Sequence, residues 1–232
     1  MTPICIPHTP PWTRKQPSFN ISLCRYDKKE TPSLMIKQEF NKMIDMEKFD
    51  TILYTDASKD EHGTSCAVTT TNETIASFRL PTICSIHTAE LYGINKALEV
   101  TPKSSKRIAI CTDSLSSIHS LKTLRSQHPI VNKVHTHCHQ LLTSGTLVSI
   151  IWVPSHVGVT GNEKADQAAK KANCPNNPVE KIQLHQDLKY LFKQSVLENW
   201  QDQWNRSTSK LHQIQPIIHH RKFPYKKEET KP

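Results

Sequence analysis

Residues 51–80 read TILYTDASKDEHGTSCAVTTTNETIASFRL. Three β-rich runs lie in this stretch: TILYT at 51–55, SCAVTT at 65–70 and TIASFRL at 74–80. Thr71-Asn72-Glu73 reads as a hairpin turn, so the last two runs should pair antiparallel. The period then changes. HTAELYGINKALEV (87–100) sets Leu91, Ile94, Ala97 and Leu98 at helical spacing, and RIAICT (107–112) is a strand of buried character. SLSSIHSLKTL (114–124) and residues 130–143 read as helices, and LVSIIWV (147–153) as a fifth strand. A last helix runs to about Asn173, with Asn162 as its N-cap. Hairpin-linked strands followed by βα alternation imply an α/β fold, a five-stranded mixed sheet covered by helices.

Outside this core the composition shifts. All five glycines lie between Gly63 and Gly161, whereas the first fifty residues are punctuated by Pro3, Pro7, Pro10, Pro11, Pro17 and Pro32. Residues 1–47 therefore read as a proline-rich, largely irregular arm or linker, and 48–174 as the folded domain. The PNNP at 175–178 marks a boundary. A helical extension follows to about 215, carrying Leu188, Leu191, Leu197, Trp200 and Trp204, and 216–232 reads as a basic, disordered tail. Trp200 and Trp204, one helical turn apart, read as packing residues rather than a base-stacking platform.

The chain has a formal charge of +9 and a pI near 9.2, spread along its length, which favours a polyanionic partner. Its 36% hydrophobic content includes no run long enough to span a membrane, and prolines break up the N-terminus where a signal peptide needs continuous apolar residues. An intracellular protein is expected, with nucleus and cytoplasm not distinguished. Seven scattered cysteines without a C-x-x-C pair suit reduced, mostly buried thiols.

Four acids stand where a core would not choose them. Asp56 ends the first strand in LYTDAS, and Asp113 ends the fourth in ICTDS. Glu90 sits one turn into the first helix, and Asp166 in the first turns of the last. Neighbouring parallel strands would bring Asp56 and Asp113 out side by side, at the sheet end where ligands bind. Carboxylates gathered there repel one another, and a hard divalent cation such as Mg²⁺ or Mn²⁺ relieves the repulsion. Singly, each acid is weak evidence and reads first as a turn residue or one placed by a helix dipole. Gly93 and Ala169 share the helix faces of Glu90 and Asp166, which fits either plain tight packing or acids drawn inward. His156, in WVPSHVGVTGNEKADQAA (152–169), lies on a glycine-flanked loop where packing asks for no imidazole.

Together YTDAS, HTAELYGINKALE, ICTDS and WVPSHVGVTGNEKADQAA resemble, in order, the motifs of type 1 ribonuclease H, most closely the versions attached to retroelement reverse transcriptases. The resemblance implies a metal-dependent endonuclease cutting the RNA strand of RNA–DNA hybrids with two Mg²⁺ or Mn²⁺ ions. It implies that Asp56 bridges both ions and that Asp166 holds the one activating water. Glu90 and Asp113 would complete the site at the leaving 3′ oxygen. His156 would move protons or help product leave. Ser58, Ser114 and Asn162 are the candidate substrate contacts beside these acids. Leu115 departs from the family, standing where a glutamine often touches substrate.

The implied partners are the hybrid and a reverse transcriptase of the same element, with the chain itself expected to be a monomer. HQDLKYLF and ENWQDQWNRS resemble the segment following this domain in some non-LTR retroelement polyproteins. No Y-x-D-D precedes the domain, so a fragment, a separate reading frame or a co-opted copy is expected. The alternative is a catalytically silent module of the same fold that binds hybrid or protein.

Other signals are set aside. HTHCH (135–139) reads as an exposed polar helix face rather than a metal site, and His219-His220-Arg221-Lys222 as solvated tail. Ser155-His156 lacks the geometry of a hydrolase dyad. A proofreading exonuclease wants Asp-x-Glu, but position 58 is Ser, and an integrase ends its triad with Glu where this chain has Asp166.

Overall fold

The computed structural model describes residues 10–182, 184–208 and 210–218. The chain forms two compact units, Met1–Leu184 and His185–Pro232. In the first, the sheet has six strands: β1 (Ser18–Asn20), β2 (Thr51–Asp60), β3 (Gly63–Thr69), β4 (Thr74–Leu80), β5 (Arg107–Thr112) and β6 (Leu147–Trp152). Their spatial order is β1-β6-β5-β2-β3-β4. β1 to β6, β6 to β5 and β5 to β2 pair parallel, while β2–β3 and β3–β4 are antiparallel. The expected mixed α/β sheet is therefore present, with one strand more than the motifs imply.

The additional strand comes from the segment expected to be irregular. β1 extends the β6 edge, and α1 (Ser33–Glu47) follows. α1 buries Ile36 and Phe40 at i, i+4 spacing. These join Leu23, Tyr54, Ile151, Val153, Val157, Val159 and Ala165 in a cluster on one face of the sheet. On the other face α2 (Ile86–Val100), α3 (Leu115–Leu121) and α4 (Pro129–Thr143) build the larger core around Leu91, Ile94, Ile110, Ile118, Val134 and Ile150. α5 (Thr160–Ala172) packs with the first face.

The chain does not leave this unit at PNNP. Val179 bridges to Arg79 of β4, Glu180 N–H donates to the Arg79 carbonyl at 2.8 Å, and Leu184 is buried in the larger core. The free edge of β4 is thereby covered. Six cysteines are free among the described residues, four of them buried. No helix among the described residues is long and apolar enough to cross a membrane.

Two side-chain readings need correction. His135 is not on an exposed face: it is 1% exposed, with Nε2 on the Leu121 carbonyl at 2.8 Å. In the second unit, α6 (His185–Asn205) and α7 (Lys210–Ile214) form. There Trp204 donates to the Gln215 carbonyl, but Trp200 is exposed rather than packed. His219 to Lys222 and the rest of the tail lie outside the described residues.

Candidate active site

β2 and β5 run parallel, and their last paired residues are Thr55 and Thr112. Asp56 and Asp113 are therefore the next residues on adjacent strands. Asp113 follows the end of β5 as expected. Asp56 does not end its strand, because β2 continues to Asp60 against β3 and only its pairing with β5 stops there. Period-2 alternation sends Leu53 and Ala57 toward α2 and Ile52 and Tyr54 toward the α1–α5 cluster, so Asp56 belongs to the second set.

Glu90 enters from the second turn of α2. Ser85 caps that helix, accepting the Thr88 N–H at 3.2 Å. One ligand oxygen from each of Asp56, Glu90 and Asp113 lies within 4.8 Å of the others. Asp56 and Glu90 are buried, at 7% and 6% exposed. The Ala57 N–H supports the Asp56 carboxylate at 2.7 Å, while Glu90 Oε2 is buried with no hydrogen-bond partner among the described residues.

The electrostatics follow from this crowding. Burial, then the charge of Asp113, pushes the Asp56 carboxyl up to about 7. Burial, then Asp56 and Asp113, holds Glu90 well above the ordinary carboxylate range. Asp113 is raised by burial, opposed by a hydrogen bond from Asn162 and by the nearby His156. An unpartnered buried oxygen inside a set of mutually repelling hard oxygen donors fits a divalent cation of the Mg²⁺ or Mn²⁺ kind.

Asp166 stands outside the close group. Its Oδ2 receives Lys170 Nζ at 2.8 Å, yet its charge reaches both Asp56 and Asp113. Lys170 went unnoticed in the sequence although it is i+4 from Asp166, the spacing of a helical ion pair. Asn162 is not the N-cap. α5 begins at Thr160 behind Val159, which leaves Asn162 inside the first turn, 3% exposed and turned to Asp113.

His156 occupies the β6–α5 loop with φ +56°, its side chain 69% exposed. Nδ1 lies 3.6 Å from Glu163 Oε2, a partner not anticipated from the sequence. Of the remaining predicted contacts, Ser58 lies on β2 opposite Ser65, and Ser114 precedes α3 and donates to Ser117 at 2.8 Å.

Fold and site together define a class: an α/β domain with a mixed sheet and an acidic centre suited to hard divalent cations. Within that class the assignment is specific. The family model for RNase H matches residues 48–174, over half of the 232-residue chain, and the chain belongs to the ribonuclease H family.

Proposed function

We propose that this protein is a metal-dependent endonuclease that hydrolyses the RNA strand of RNA–DNA hybrids, and that it is of retroelement origin. The observation that carries the activity is the convergence of Asp56, Glu90 and Asp113 around an unpartnered Glu90 oxygen, inside an RNase H match. The likeness of its motifs to those of retroelement enzymes supports the origin, and with it a reverse transcriptase of the same element as partner.

Asp56 and Glu90 are fixed by buried backbone on β2 and α2, so their oxygens are preorganised. Asp166 completes the set once Lys170 releases it. Two bound divalent cations would supply Lewis acidity to the phosphodiester and offset the carboxylate charge. Hydrolysis adds water to phosphorus and breaks the bond to the 3′ oxygen, which leaves with a proton. The exposed imidazole of His156, beside the acids, is assigned to move that proton. Ser58, Ser114 and Asn162 are assigned to the substrate side, Asn162 chiefly by orienting Asp113.

The test is cleavage of end-labelled hybrid with Mg²⁺ or Mn²⁺, beside Asp56→Asn. RNA-strand cutting that disappears in the variant supports the reading. A folded protein that binds hybrid without cutting it overturns the reading in favour of a silent binding module.

A further inference from the structure

We propose that the segment before the family match, from Ser22 to Glu47, is a platform that positions His156, with Lys28 as its positioning residue. The inference rests on His156 acting at the site proposed above, and names what holds it there.

His156 is a non-glycine residue in the left-handed region. L residues keep that backbone only where neighbours impose it. The imidazole is largely exposed, so the constraint must act on its flanks. Val157 and Val159 are 3% and 4% exposed, buried against Leu23, Ile36 and Phe40. Lys28 Nζ donates to Ser155 Oγ at 3.1 Å, immediately before the histidine. The Lys37 side chain runs beside Gly158, its Cδ 3.8 Å from where a Cβ would stand. From the opposite side, Glu163 on α5 accepts the Gly158 N–H at 3.3 Å.

The loop is thus pinned on both flanks, with the exposed ring paired to Glu163. Glu163, and Tyr54, Ile151 and Ala165 of the shared cluster, lie within residues 48–174; Leu23, Lys28, Ile36, Lys37 and Phe40 precede them. A loop built from family residues takes its second support from sequence outside the family domain. Lys28 is exposed and makes one side-chain bond to the loop, so its removal should loosen the loop without unfolding the core.

The experiment uses the full chain with Lys28→Ala, Lys28→Arg, His156→Ala and the Lys28→Ala/His156→Ala double variant. Amide hydrogen exchange at residues 155–158, without metal, should speed up several-fold in Lys28→Ala and return toward wild type in Lys28→Arg. Hybrid cleavage should show kcat lower by roughly three- to tenfold with KM steady, and no further loss when Lys28→Ala is added to His156→Ala. Unchanged exchange overturns the proposal. So does a raised KM with losses that multiply in the double variant, which would make Lys28 a direct phosphate contact. If no variant, nor the wild type, cuts hybrid, the exchange result still decides the platform while the functional reading alone falls.

Discussion

Asp56 is buried and its carboxyl is raised to about 7, whereas an aspartate in an unfolded chain titrates near 4. Between those values the native state holds a proton that the unfolded state has released. Stability contributed by this group is therefore complete at low pH and is lost as pH climbs toward 7. The raised Glu90 and Asp113 act in the same direction. His135 acts oppositely: burial lowers its pKa, so it costs stability as pH falls below the ordinary imidazole range. Comparison with Asp56→Asn cancels that background. Without metal, the variant should be more stable than wild type at pH 8, by roughly 1–3 kcal/mol, with the advantage shrinking by pH 5. Mg²⁺ or Mn²⁺ should raise the wild-type melting temperature and leave the variant nearly unmoved. Melts in which the two proteins track each other at every pH and metal concentration would remove Asp56 from the site. The acids were legible in the sequence only as a set, because their motifs follow in order, whereas each alone reads as a turn or helix-dipole residue. Asn162 was misplaced because its cap preference is strong, while nothing in the sequence announces that Val159, which has no side-chain cap to offer, stands at the N-cap.

At the level of elements, the site depends on how closely two helices approach β2. They do so differently. A Cβ at Gly161 would overlap the Tyr54 ring, so α5 lies against the sheet through the missing side chain. A Cβ at Gly93 would meet Thr55 Cβ at 3.5 Å and Cys66 Cβ at 3.6 Å, ordinary contact. Gly161→Ala should therefore cost about 1–3 kcal/mol by overpacking, and should reduce cleavage by shifting Asp166 with its helix. Gly93→Ala should be neutral or gain up to about 1 kcal/mol from helix propensity. Urea titrations of the two variants distinguish them, and equal losses at both positions would refute the distinction. Most elements were readable: β-branched runs flank a clear turn, and the apolar period shifts from two to about four. Helix α1 was missed although Ile36 and Phe40 repeat at i, i+4, because the surrounding prolines weighed toward an irregular chain. Strand β1 has only three residues, Ser18-Phe19-Asn20, too few to show any period, and it exists by virtue of the β6 edge beside it.

Taken whole, the first unit is larger than the family domain it contains. One sheet edge is extended by β1 and the other covered by Val179 and Glu180. Removing residues 1–47 takes Leu23, Ile36 and Phe40 out of the cluster they share with Ile151, Val157 and Val159. Fully burying each such side chain stabilises by about 1.5–3 kcal/mol, so three together amount to roughly 5–9 kcal/mol. A domain is typically stable by only about 5–15 kcal/mol. A fragment cut at the family limits, 48–174, should consequently be marginal, with a second loss from the uncovered β4 edge. A fragment of residues 1–184 keeps both edges and should unfold in one cooperative transition near the full chain's midpoint. Urea unfolding of the two fragments beside the full chain checks this. If 48–174 matched 1–184 in midpoint and slope, the flanking segments would be passengers, and the support they lend the His156 loop would lose its thermodynamic footing. If 48–174 is soluble but weakened, Leu23→Ala in the full chain should reproduce part of the deficit, because the same apolar contact is being removed.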